Sequence, residues 1–171
     1  MTNIIQELQD LDSPICQLVS KEDTICDVSR KSLRRCPFFA EIFDKEPDLY
    51  EVRVEISDNS SAIFQAFLSG FECKRINDVF EVMEFACKIE WADFQAYCAR
   101  AASGITVPDG TSSDIIVRVV EAIVQFLPIR TTVQYARLVE KCCHKDDLLR
   151  RRLFKSVYTI LAQRKIVTYA P

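Results

Sequence analysis

Glycine is scarce in this chain, with three residues in 171, at Gly70, Gly104 and Gly110. A loop that cradles phosphate groups needs several glycines close together, so this scatter excludes a nucleotide-binding loop of that kind. No apolar run is long enough to span a bilayer, and we predict no membrane contact. The first residues also lack a basic segment followed by a long apolar run, so we expect no signal peptide.

Histidine is rarer still, and His144 is the single example. Its neighbours Cys142 and Cys143 suggest a zinc site, but adjacent cysteines do not form the usual spaced pair and a fourth ligand is not apparent. A nucleophile built from cysteine and histidine would also lack a partner to orient it. We therefore predict no metal, no cofactor and no enzymatic activity, with His144 in a loop beside core thiols.

Cysteine, in contrast, is frequent, with eight residues. The hydrophobic fraction of 49% is enough to build a core without disulfide bonds. We therefore expect free thiols that pack as small apolar side chains, in an intracellular protein of the cytoplasm or nucleus.

Charge is unevenly distributed along the chain. Residues 1–111 carry 11 basic and 20 acidic side chains, whereas residues 112–171 carry 11 basic and 5 acidic ones. The basic end either binds an anionic partner or packs against the acidic remainder of the chain.

The middle of the chain has the clearest secondary-structure pattern. Pro37 lacks an amide hydrogen and favours the first position of a helix. The apolar face of that helix would consist of Phe38, Phe39, Ile42 and Phe43. Residues 52–56 alternate between apolar and charged side chains, which predicts a half-buried strand. Ser60 or Ser61 would cap the next helix, which ends at Gly70.

The flanking segments predict a hairpin before this region and helices after it. Residues 15–20 and 24–29 are short strand-like runs joined by a charged turn. Residues 79–89 and 91–102 have helical spacing of apolar side chains. Residues 103–113 contain two glycines and a proline, which is typical of a loop.

The basic end predicts further helices. Apolar spacing indicates helices over residues 116–127 and 131–142, and a third over 149–161 with Phe154 on its inner face. Residues 166–169 are a candidate closing strand.

The order of hairpin, two helices, acidic loop, strand and glycine-terminated helix resembles the middle of a BTB/POZ domain. The matching segments are residues 36–43, where Cys-Pro-Phe-Phe leads to Phe43, and residues 54–58, with Val-Glu-Ile-Ser-Asp. The resemblance continues with residues 64–70, from a phenylalanine to a glycine, and through residues 77–104.

This resemblance implies an α+β protein with a BTB/POZ-like domain, a short sheet with helical hairpins, over residues 13–104. An amphipathic helix over residues 1–12 would precede it. A linker over 105–113 would lead to a mostly helical module over 114–171. BTB/POZ domains bind proteins and self-associate, so we expect an interaction protein.

The first helix is a candidate dimer interface. Ile4, Ile5 and Leu8 lie at helical spacing on a helix too short to be stable without packing. They either dock on their own domain or contact a second subunit. Many BTB domains dimerise through such a helix, so the resemblance indicates a homodimer.

Some BTB proteins also dock on a cullin scaffold, so that an attached module presents substrates for ubiquitin transfer. The positions that match their cullin-facing motif are Ile42, Phe43 and Asp44. Two alternatives remain: Ile42 and Phe43 complete the core face of the helix, or the chain is a purely structural oligomerisation protein without a cullin contact.

The basic module carries an alternative function. Its third helix resembles the recognition helix of cell-cycle winged-helix transcription factors, in which arginines contact base edges. The candidate nucleic-acid residues are Arg150, Arg151, Arg152 and Lys155. The other interpretation is a helical extension whose arginines lie on a solvated face.

Overall fold

The structure is a computed structural model that describes residues 14–126 and 146–164. It has an α+β fold, as predicted, with a three-stranded sheet and, in those residues, seven helices. The elements are β1 (Ile15–Val19), β2 (Ile25–Ser29), α1 (Arg30–Leu33), α2 (Pro37–Lys45), β3 (Glu51–Arg53), α3 (Asp58–Leu68), α4 (Phe80–Lys88), α5 (Ala92–Ala101), α6 (Ser113–Phe126) and α7 (Asp147–Gln163). None of these helices has the length and apolar character that crossing a membrane requires.

The sheet has the strand order β2-β1-β3. β1 pairs antiparallel with β2 and parallel with β3. The predicted hairpin is confirmed, and its turn closes where Ser20 N donates to Thr24 O at 3.0 Å. Asp23 in this turn has a φ of 61°, a left-handed conformation that aspartate tolerates.

The chain forms two compact units. The first contains residues 14–72 and 89–91, with the sheet and helices α1 to α3. Its core is aromatic: the Phe39 and Phe64 rings stack with centroids 6.1 Å apart, and Trp91 meets Phe64 edge-on at 6.1 Å and Phe67 at 4.9 Å. These contacts join α2, α3 and the 89–91 segment.

Two predictions in this unit need correction. The strand predicted over 52–56 is shorter, since β3 covers Glu51–Arg53, although Lys21 N still donates to Ile56 O at 3.0 Å beyond its end. The cap of α3 is Ser57 rather than Ser60 or Ser61, and its hydroxyl accepts from the Ser60 amide at 3.3 Å. Ser60 and Ser61 are buried inside the helix.

The end of α3 follows the prediction. Gly70 has a φ of 76°, and its amide donates to Phe67 O at 3.1 Å. The next amide, of Phe71, donates to Ala66 O at 2.9 Å. This pair of bonds satisfies the last carbonyls of the helix, and the left-handed conformation favours glycine.

The second unit contains residues 73–88, 92–126 and 146–164, with helices α4 to α7. The predicted inner face of residues 79–89 is confirmed, since its apolar side chains are buried. On α7 the side chains of Leu149, Leu153 and Val157 are buried. Phe154, predicted on the inner face, is instead 51% exposed.

Residues 103–112 form a loop, as predicted. This loop begins with a close approach, since a Cβ on Gly104 would lie 2.5 Å from Asn77 O. The loop belongs to the second unit, and the division between the units falls at residue 72. The domain limits at 13–104, 105–113 and 114–171 stay a prediction.

Several predictions lie outside the described residues. They are the helix over 1–12 with Ile4, Ile5 and Leu8, the helix over 131–142, the cluster of Cys142, Cys143 and His144, and the strand over 166–169.

Candidate functional site

The candidate site lies on α2, which begins at Pro37 as predicted. Phe39 and Phe43, one turn apart, face the core and are fully buried. Phe38 and Ile42 form the neighbouring stripe of the same helix, where Phe38 is 44% exposed and Ile42 is half-buried. The helix therefore gives one apolar stripe to the core and keeps a second at the surface.

Phe43 belongs to the core, although its position matches the cullin-facing motif. Its ring is fully buried and lies beneath two guanidinium groups. The Cζ atoms of Arg30 and Arg34 are 4.4 and 5.7 Å from the ring centroid, within the range of cation–π attraction. Phe43 is thus not available to a partner in this structure, while contacts by Ile42 and Asp44 stay a prediction.

Charged side chains border the exposed stripe of α2. Asp44 is 69% exposed, and its Oδ1 accepts from Arg34 Nη1 at 2.8 Å. Glu41 Oε1 accepts from Lys45 Nζ at 2.6 Å, which lowers the pKa of Glu41 and raises the pKa of Lys45. An apolar centre with a charged, solvated rim is the composition of many protein–protein contact surfaces.

Phe38 is the surface residue that the sequence analysis missed, because it was assigned to the core face with Phe39. The signal was present in the sequence. Successive residues of a helix point about 100° apart, so two adjacent phenylalanines followed by Ile42 and Phe43 make a face too wide for one core contact.

The four candidate nucleic-acid residues of α7 divide into two pairs. Arg150 Nη2 lies 2.7 Å from Asp147 Oδ1, and Arg152 Nη2 lies 2.7 Å from Asp114 Oδ1 at the start of α6. Arg151 and Lys155 are exposed and form no ion pair with another described residue. Half of the predicted positive charge is therefore neutralised within the second unit.

Five of the six thiols in the described residues are poorly suited to nucleophilic chemistry. Burial raises the pKa of Cys16, Cys26, Cys36 and Cys98, and it raises the pKa of Cys87 to about 11. A thiol of that pKa holds little thiolate at neutral pH. Between residues 14 and 126 and between 146 and 164, no group of three or more His, Cys, Asp or Glu side chains is placed to hold a metal ion.

Comparison of the chain with protein-family models, with curated proteins and with solved structures gives no significant match. Its function is therefore inferred from the residues and contacts described above.

Proposed function

We propose that this chain is a non-catalytic protein–protein interaction module of the BTB/POZ type, which binds a partner protein through the exposed stripe of α2. One observation carries the proposal. Phe38 is 44% exposed while its neighbour Phe39 is fully buried, and the half-buried Ile42 follows one turn later. Exposed aromatic side chains backed by a packed core are frequent anchors at protein interfaces.

The exposed stripe of α2 is held in place by packed residues beneath it, which favours binding with little rearrangement. Phe38 meets the Phe39 ring edge-on with centroids 5.3 Å apart, and Phe39 stacks on Phe64 of α3. The Arg34–Asp44 ion pair and the Arg30 contact with Phe43 hold the end of α2 against α1. A surface ordered before binding loses less conformational entropy when a partner docks.

The BTB/POZ type is supported by the order of elements. The hairpin, α1, α2, β3 and the glycine-terminated α3 follow one another as in the segments that carry the resemblance. A cullin scaffold is the candidate partner through that resemblance, with Ile42 as an apolar contact and Asp44 as an acceptor. Aspartate is one methylene shorter than the glutamate of the family motif, so its partner donor would lie closer to α2.

The proposed module also self-associates and acts inside the cell, in the cytoplasm or nucleus. Self-association rests on the predicted stripe of Ile4, Ile5 and Leu8. The intracellular address is supported by the thiols of the described residues, all of which are free. The absence of a catalytic role is supported by the raised pKa values of the buried thiols.

Binding of the purified chain to an immobilised cullin N-terminal domain tests the α2 surface. We expect Phe38→Asp and Ile42→Asp each to weaken binding by about 30-fold or more, as interface anchors do when replaced. The matched control is Ala62→Asp, which adds the same charge at an exposed position of α3 and should bind as the wild type does.

Thermal unfolding of each variant shows whether a loss of binding reflects a loss of fold. Unchanged binding by folded Phe38→Asp and Ile42→Asp variants would reject the α2 surface. If the wild-type chain does not bind the cullin domain, the cullin is rejected as the partner.

A further inference from the structure

The outer edge of β2 has no neighbouring strand in the described part of the chain, because β2 ends the sheet. The pairing with β1 determines which of its amides face that edge. Ser20 N donates to Thr24 O at 3.0 Å, and Arg30 N donates to Pro14 O at 2.9 Å. Both pairs fit one register, in which bonded and non-bonded pairs alternate.

This alternation places the even-numbered residues of β2 in bonded pairs with β1. The odd-numbered residues therefore turn their N–H and C=O groups outward. Ile25 and Asp27 are exposed residues of this kind. Their outward amide groups form a template for one more strand.

A groove runs along the same edge, within the first unit. Its volume is about 280 Å³. It is lined by Cys26, Asp27, Val28 and Ser29 of β2 and by Ser32, Gln65, Leu68 and Ser69. Val28 and Leu68, the buried members, provide an apolar floor, and the polar side chains surround it.

The groove and the edge fit one another. Side chains alternate between the two faces of a strand, so every second residue of an added strand would point to the groove side of the sheet. A small or β-branched apolar residue suits the floor of Val28 and Leu68. The residue between two such positions would lie on the other face, directly opposite the exposed Asp27.

The negative charge of Asp27 indicates which kind of strand would pair with the edge of β2. A lysine or arginine opposite Asp27 forms a favourable cross-strand pair. A second copy of this chain, paired edge to edge about Asp27, would instead place two carboxylates opposite each other, which is destabilising. We propose that the outer edge of β2, at Ile25 and Asp27, binds an extended peptide of a partner protein, with an apolar–basic–apolar sequence, as a fourth strand of the sheet.

This surface is separate from the α2 stripe, so the two proposals stand or fall independently. A library of random twelve-residue peptides, selected on the full chain, provides the probe. We expect the selected peptides to share the apolar–basic–apolar pattern. Binding of a selected synthetic peptide should slow hydrogen exchange at the Ile25 and Asp27 amides, and Ile42→Asp should not change its affinity.

A charge swap tests the pairing with Asp27. Asp27→Lys should lower the affinity of the chain for the basic peptide by about fivefold to tenfold, the size expected for reversing one cross-strand charge pair. Replacing the basic residue of the peptide by glutamate should restore the affinity for this variant and weaken it for the wild type.

Backbone pairing is tested by removing single amide hydrogens. Asp27→Pro removes an outward N–H and no bond to β1, so it should abolish binding, whereas Asp27→Ala keeps the N–H and should bind weakly. If Asp27→Pro fails to fold, N-methylated peptides provide the same test. N-methylation of the alternate peptide residues whose N–H groups face β2 should abolish binding. N-methylation of the residues between them, whose N–H groups point away from β2, should not.

Three results would overturn the proposal. One is a set of selected peptides that leaves exchange at Ile25 and Asp27 unchanged. Another is a folded Asp27→Pro variant that binds the peptide as tightly as the wild type, or a wild-type chain that binds the two sets of N-methylated peptides equally well. The third is slow exchange of both amides in the chain without peptide, since the edge would then already be occupied by another part of the chain or by a second copy.

Discussion

Ser20 and Asp58, 38 positions apart in the chain, share a hydrogen bond: the serine hydroxyl donates to Asp58 Oδ1 at 2.5 Å. Thr24 Oγ1 donates to Oδ2 of the same carboxylate at 2.8 Å. The Asp58 amide in turn donates to Glu22 Oε2 at 2.8 Å. These bonds tie the turn of the β1–β2 hairpin to the first residue of α3. They join a local element to one formed much later in the sequence.

The bond network makes the stability of the first unit depend on pH. Hydrogen bonds from Ser20 and then Thr24 lower the pKa of Asp58 below its ordinary value of 3.8. A carboxyl group with a lowered folded pKa stabilises the fold above that ordinary value, and its contribution disappears as the pH falls through the folded pKa. Asp58→Asn should therefore unfold at lower urea concentration than the wild type at pH 7, with a smaller difference at pH 3.

The control for this experiment is Asp109→Asn, which removes an exposed carboxylate from the 103–112 loop. It should leave the urea midpoint nearly unchanged at both pH values, because exposed substitutions seldom alter stability by more than about 0.5 kcal/mol. If Asp58→Asn and Asp109→Asn shift the urea midpoint equally at both pH values, the Asp58 network does not stabilise the fold.

Adjacent phenylalanines on α2 should differ sharply in their contribution to stability. Phe39→Ala removes a fully buried ring and should cost about 3–5 kcal/mol. Phe38→Ala removes a partly exposed ring whose edge-on contact with Phe39 contributes about 1 kcal/mol. Denaturant unfolding of both variants measures the difference. Similar losses would mean that Phe38 is a core residue and not part of a partner surface.

The basic face of α7 should show only weak, unselective affinity for nucleic acid. Arg151 and Lys155 are available, whereas Arg150 and Arg152 are held in ion pairs. We expect binding to a random duplex at about 50 mM salt that is lost near about 200 mM, and that disappears in the double variant Arg151→Ala, Lys155→Ala. Fluorescence anisotropy provides the measurement.

The opposite result would favour the transcription-factor alternative. A selected duplex that binds about 100-fold more tightly than random sequence, and that loses this preference in Arg152→Ala, would show that the arginines contact bases. Arg152→Ala should otherwise change little, since an exposed ion pair contributes about 0–1 kcal/mol.

Self-association should depend on the predicted N-terminal stripe. Ile5→Asp with Leu8→Asp places two charges in that stripe and should convert a dimer to a monomer in sedimentation equilibrium at tens of micromolar protein, roughly the range in which a modest interface is populated. Thr2→Asp with Gln6→Asp adds the same charges on the opposite face of the predicted helix and should remain dimeric. A monomeric wild type would reject the dimer.

Elements with strong local signals were predicted well from the sequence. Pro37 begins α2 because a proline restricts the backbone in the same way in any context. The β1–β2 hairpin follows from alternation and a charged turn, and α3 ends at Leu68, just before Gly70, whose left-handed conformation favours glycine. Each of these depends on only a few neighbouring residues.

The predictions that were wrong concern features that depend on tertiary contacts. Ser57, Ser60 and Ser61 satisfy the same capping pattern, and only the packing of α3 buries the latter two. Phe154 fits the apolar spacing of α7, yet the buried face consists of Leu149, Leu153 and Val157. The Asp58 network and the groove beside β2 join segments far apart in sequence, so no local pattern predicts them.

The position of α6 affects how this protein can be divided for experiments. Its side chains Ile116, Val119, Val120 and Ile123 are buried in the unit that α6 shares with α4 and α5. A fragment that stops at residue 104 would therefore leave apolar side chains of α4 and α5 facing water, and large exposed apolar patches promote aggregation. Fragments meant for crystallisation or binding studies should include both α6 and α7, which pack on each other.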